Sequence, residues 1–248
     1  MKTIRLTAVF CLLLGAIVSC NKGNNSKPNS GSTDEAADLV TASFSASTQG
    51  VLSSTNDLTI SAQAEIQVDS TCGVSWADSV NRNIPFGSQY DYKYKAKYTY
   101  SYTCPTSSNS LGGVVNTTTA YSGSFNTPDL SSTFSGSSNF GITGVNRGSS
   151  QYIINGEYKR DGSFQSKTDT SFEGTHSIDI TITNLVLARP LRTIKSGKAN
   201  FTISGNMPKR GSFNYTGTIV FNGDSNATLT VNGQGYLINL STRTKKKI

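Results

Sequence analysis

Tyr90-Asp91-Tyr92-Lys93-Tyr94-Lys95-Ala96-Lys97-Tyr98-Thr99-Tyr100-Ser101-Tyr102-Thr103-Cys104 alternates almost without fault. Even positions carry Tyr, Ala and Cys; odd positions carry Asp, Lys, Thr and Ser. A period of two places the aromatic set on one face of a strand and the charged set on the other. At ~3.3 Å per residue such a strand is roughly 50 Å long, well above the usual length. It demands a tall sheet.

Partners for that strand follow as a meander. Alternating segments lie at 114–126, 130–144, 150–160, 162–172, 175–189, 191–206, 211–222, 225–232 and 234–242. Asp161-Gly162, Asn222-Gly223-Asp224 and Asn232-Gly233 read as hairpin turns between them. Connections this short give antiparallel neighbours. Ile178, Ile180 and Ile182 share one parity and Leu185 and Leu187 the other, so a bulge near Thr183-Asn184 would put all five on one face. A weak repeat of apolar residue, one residue, then Gly recurs at Tyr121–Gly123, Phe134–Gly136, Phe172–Gly174, Ile203–Gly205 and Tyr215–Gly217. Glycine inside strands weakens pairing unless the sheet bends sharply and aromatics on adjacent strands cover the bare backbone. The expectation is a mainly all-β fold: one large, curved antiparallel sheet closing as a barrel or folding over as a sandwich.

Composition agrees. Ser 36, Thr 30, Asn 21 and Gly 23 make up 110 of 248 residues, which disfavours a helical bundle. Eleven Tyr and eleven Phe, with only 15% charged residues, argue against a disordered chain. Before the strands, Ser32-x-x-Glu35 has capping-box spacing ahead of Ala36, Ala37, Leu39, Val40 and Phe44. A short helix is expected over 33–46, with further helical structure to about 62. Residues between Cys72 and Tyr90, including Trp76, read as irregular.

The first twenty residues look like an address. Lys2 and Arg5 precede Leu6–Val18, a stretch without charge that is too short to span a bilayer and fits the apolar region of a signal peptide. It ends in Ile17-Val18-Ser19-Cys20, which resembles the lipobox of bacterial lipoproteins. That resemblance implies removal of residues 1–19, lipidation of Cys20 with palmitate-type chains, and membrane attachment without a membrane span. Asn21 after the Cys favours the outer membrane in that class, with periplasmic and surface-facing orientations both open. Residues 20–32 are then a lipidated Cys and a polar tether, and 33–248 a single β-rich domain with its helix. Beyond the signal, the β region is similar to uncharacterised Bacteroidota envelope lipoproteins, a similarity that implies no activity. An outer-membrane barrel is disfavoured because many strands carry Ser, Thr and Asn on both faces.

Formal charge is +7 and falls to +5 once Lys2 and Arg5 leave. Part of the excess sits in Arg243, Lys245, Lys246 and Lys247, read as a frayed, solvated terminus rather than a nucleic-acid surface. With Cys11 lost and Cys20 lipidated, Cys72 and Cys104 remain as a pair in an oxidising compartment, where a disulfide is expected.

Catalysis needs a constellation, and the sequence offers no nucleophile elbow, zinc-protease motif or phosphate loop. His176 is the single histidine and falls at the end of a core face. Asp57, Asp69, Asp78 and Asp91 share the less regular first third and could approach one another, but no cofactor or metal is expected. A ligand face for a glycan or other envelope molecule is drawn on Tyr92, Tyr94, Tyr98, Tyr100 and Trp76, against the alternative that these rings are simply core. Asp69-Ser70-Thr71 and Asp78-Ser79-Val80 resemble the acceptor of the periplasmic O-glycosylation system of Bacteroidota, at Ser70 and Ser79. The functional expectation is a lipid-anchored, non-enzymatic binding or scaffold module. Its alternative is an envelope glycan-processing enzyme working through paired carboxylates.

Overall fold

The computed structural model describes residues 31–84, 91–105 and 112–248. Two helices come first, α1 (Thr33–Phe44) and α2 (Val51–Val68), joined by a short 3-10 turn at Ala46–Thr48. The strands are β1 (Ser75–Ile84), β2 (Asp91–Thr103), β3 (Val114–Asn126), β4 (Leu130–Thr143), β5 (Gln151–Ser166) and β6 (Glu173–Ala188). They continue as β7 (Ile194–Met207), β8 (Gly211–Gly223), β9 (Asn226–Val231), β10 (Gln234–Asn239) and β11 (Lys245–Lys247). All eleven form one antiparallel sheet in sequence order. Its edges, β1 and β11, do not pair with each other, so the sheet stays open and the barrel closure allowed by the sequence is not realised.

The sheet is nonetheless strongly curved. Phe164 on β5 and Phe213 on β8 stand three strands apart, about 14 Å on a flat sheet, yet their ring centroids are 6.3 Å apart. In-strand glycines make room for that. An added Cβ at Gly136 would fall onto the Lys159 carbonyl and the Tyr121 ring; at Gly205 and Gly217 it would meet the Phe213 and Phe201 rings. Aromatics on neighbouring positions thus cover bare backbone, as the repeat suggested. Gly174 is the exception, closed in by the backbone of Asn206 and Met207.

Both helices fill the concave side. Ser32 caps α1 in a full capping box with Glu35, and Phe44 at its end lies 5.9 Å, ring to ring, from Phe221 on β8. Helix α2 is longer than the sequence suggested, because Ser53, Ser54, Thr55 and Thr59 are weak helix formers held by burial rather than by propensity. It reaches across the sheet: Asp57 meets Arg82 of β1 and Tyr98 of β2, while Gln63 meets Tyr152 of β5 and Arg192 from the β6–β7 turn.

Four local expectations change. Asp161-Gly162 is no turn: β5 runs straight through it, and the chain reverses between Lys167 and Phe172. Gly162 is needed instead because a side chain there would strike the Thr133 carbonyl. The segment with Trp76 is a strand, β1, whose polar sequence hid it because it is an edge exposed along most of its length. Arg243–Lys247 is not frayed: residues 245–247 pair with β10, and Lys245 and Lys247 reach Asp38 and Asp34 of α1. The strand expected over 234–242 ends at Asn239. The other two hairpin turns stand, with Gly223 and Gly233 at φ +93° and +87°, and the bulge falls at Asn184, leaving all five Ile and Leu of β6 buried. Cys72 and Cys104 form a disulfide with Cα atoms 5.3 Å apart, tying the α2–β1 connection to the end of β2.

Candidate functional site

The tyrosine ladder does not line an open groove. Tyr94, Tyr98 and Tyr100 are buried, and Tyr92 and Trp76 are partly buried, on the concave face that the helices cover. Tyr98 donates a 3.0 Å hydrogen bond to Asp57, which also takes a two-pronged contact from Arg82 at 2.9 and 2.5 Å. Burial, with Tyr94 and Asp57 beside it, pushes the Tyr98 phenol far up. Trp76 stacks flat on Tyr100, with centroids 4.8 Å apart. The ligand face drawn from parity is therefore corrected to core: the rings fill the space that Ser- and Gly-rich strands leave under α2. Tyr90 lies outside the described residues, as does Cys20.

The other flagged residues scatter. Asp57 is engaged with Arg82; Asp69 accepts from the Thr71 amide, Asp78 from the Ser79 amide and Asp91 from Asn126. They do not converge. Among the described residues no group of three or more His, Cys, Asp or Glu side chains is placed to hold a metal. Ser70, in the α2–β1 connection, and Ser79, on the edge strand, are both exposed. His176 is buried as expected, and burial together with the Arg160 charge lowers it to about 4, so it is neutral.

A different constellation occupies the concave face. Arg160 on β5 is 1% exposed, and its Nε, Nη1 and Nη2 all lack a hydrogen-bond partner. Its guanidinium lies 3.6 Å from the Phe134 ring centroid and 5.4 Å from that of Phe125. No Asp or Glu is buried among the described residues. Cross-strand register places Arg160 beside Gly136 of β4 and Ile178 of β6, and His176, with Nδ1 unbonded, is one step along the same face. The next row in the other direction is Thr119, Ser138 and Tyr158, directly opposite one another on β3, β4 and β5. Their three hydroxyls are buried and make no hydrogen bond of normal geometry; Tyr121, stacked on Tyr158, donates to the Lys159 carbonyl instead.

Such a group is out of balance. Burying an ion without a counter-ion costs several kcal/mol, of which a desolvated cation–π contact returns about 2 kcal/mol or somewhat more. Ring faces also leave the in-plane N–H edges of the guanidinium unanswered. It is a buried cation with free donors set among aromatic rings. Sequence reading missed it because ending the 150–160 segment at Asp161 set Arg160 beside an expected turn and cut it off from Phe164, which lies on the same face of the continuous strand.

The convex face carries a shallow groove of about 700 Å³ lined by Lys93, Lys95, Ser122, Thr133 and Asp161. It is open and of mixed charge. Compared with known proteins, the chain matches no family model, no curated protein and no solved structure.

Proposed function

We propose that this chain is a lipid-anchored protein of the bacterial cell envelope, held at the outer membrane through Cys20, whose β-rich body is a non-enzymatic binding module. The carrying observation is the order of segments: the lipobox Ile17-Val18-Ser19-Cys20, a run free of apolar residues at 21–31, and then a helix capped by Ser32 ahead of the strands. Three acyl chains at about 0.8 kcal/mol per buried CH₂ hold such a protein firmly. The binding half of the reading draws support from the unanswered charge of Arg160.

For the glycan-processing alternative, several of the carboxylates are held in ion pairs. Glu35 and Asp169 are bridged by Arg210, Asp38 by Lys245, Asp57 by Arg82 and Asp129 by Arg243. Paired in this way they act as structural anchors.

Metabolic labelling with an alkyne analogue of palmitate, in a bacterial host expressing the full chain, tests the anchor. Label on a membrane-fraction band, lost in Cys20→Ala, is expected; an unlabelled wild type contradicts it. Intact mass of the same material reads out hexose additions at Ser70 and Ser79, and an unmodified mass from the native host ends that part of the reading.

A further inference from the structure

We propose that the concave face around Arg160 receives the carboxylate of a monoanionic amphiphile, an acyl or aromatic acid. The proposal rests on the binding-module reading above and names its ligand class.

Three observations carry it. First, the guanidinium is fully buried, offers all of its donors, and meets no acceptor among the described residues. A carboxylate matches that fork with two parallel hydrogen bonds. Second, the charge of the site is single. His176 beside it is neutral, and no Lys is buried among the described residues. A phosphate dianion would leave one negative charge uncompensated in a dry place; a carboxylate leaves none. Third, the surroundings are apolar except for His176 and one row of hydroxyls. Phe125, Phe134 and Phe164 are buried on the Arg160 side, while the unbonded hydroxyls of Thr119 and Ser138, with the Tyr158 hydroxyl beside them, form the row beyond. Aromatic walls with a few convergent polar groups favour a ligand with a charged head and an apolar body. A small hydrophilic anion would forfeit the walls.

Scanning calorimetry on the full-length protein in a non-ionic detergent tests this with octanoate, octanol and inorganic phosphate as probes. Octanoate is expected to raise the wild-type Tm by about 3–6 °C at roughly tenfold above its dissociation constant. Octanol, with the chain but no charge, and phosphate, with charge but no chain, are expected to shift it by under a third as much. Arg160→Met is expected to fold with a ligand-free Tm at or above the wild type and to lose the octanoate shift. Should that variant fail to fold, Arg160→Lys, which keeps the charge and loses the fork, is expected to need at least tenfold more octanoate. An equal octanoate shift in Arg160→Met or an undiminished affinity in Arg160→Lys would overturn the proposal. So would phosphate matching octanoate, or a wild type that no carboxylate shifts, which would leave Arg160 solvated by buried water alone. The anchor experiment can succeed while this one fails, so the two readings stand or fall separately.

Discussion

Two regions of this protein treat positive charge in opposite ways. Where α1 meets β10, β11 and the β7–β8 turn, every cation that approaches the helix is answered. Lys245 reaches Asp38 at 2.6 Å, Lys247 reaches Asp34 at 3.8 Å, and Arg210 holds Glu35 and Asp169 at 2.5 Å each. Under β3–β6, Arg160 is more deeply buried than any of these, lies against the Phe134 and Phe125 rings and pairs with no acid among the described residues. The first region is half-exposed, and pairing there fixes where a helix sits. The second lies on the innermost face, where an unpaired ion costs most. On the proposal made above, this imbalance is what recognises an anion.

The comparison can be broken at its paired end. Asp57→Ala strands Arg82 and the Tyr98 hydroxyl under α2, and the carboxyl itself is 9% exposed against 33% for Arg82. A loss of about 3 kcal/mol in urea unfolding is expected; a loss below ~1 kcal/mol would show that α2 is held by apolar packing alone.

His176 sharpens the unpaired end through pH. Its pKa is depressed from 6.5 to about 4, first by burial and then by Arg160. The unfolded chain therefore binds more protons than the folded one between these values. The stabilising contribution of neutral His176 is complete above pH 6.5 and is lost as pH falls toward 4, by about 1.4 kcal/mol per unit. At pH 5 the wild type should have lost about 2 kcal/mol more than His176→Phe. In an Arg160→Met background the window should narrow, and equal slopes in both backgrounds would separate the two groups.

Smaller effects belong to the surface pairs. Glu35→Ala removes half of the capping box and one partner of Arg210, and a loss of about 1–2 kcal/mol in chemical denaturation is expected. Lys247→Ala, at a pair more than half exposed on both sides, should change stability by under ~0.5 kcal/mol.

How much of this the sequence carried depends on which residues did the talking. Wherever one face is apolar, parity spoke clearly: the Tyr92–Tyr102 strand, the Ile178–Leu187 bulge and the Ser32 capping box all fall where their patterns placed them. Edges were silent, because β1 and β11 bury little and so show no alternation. Helix α2 was half-legible, since its buried Ser and Thr read as loop. Asp-Gly was misleading: the same dipeptide serves a tight turn or a close approach of backbone, and at Gly162 the neighbouring Thr133 carbonyl decides for the second. That one misreading concealed Arg160. Parity alone also could not say whether the tyrosine face was open or filled, because the answer lay in a helix whose position no local pattern encodes.

Among the described residues Arg160 is a buried charge with no hydrogen-bonding partner. Urea unfolding of wild type and Arg160→Met, each refolded from urea so that no acid is carried through, tests it most directly. Arg160→Met is expected to be the more stable protein, by about 1–3 kcal/mol, since it keeps the bulk and removes the uncompensated charge. A variant less stable than wild type by ~2 kcal/mol or more would mean that the guanidinium is satisfied within the fold, and would contradict it.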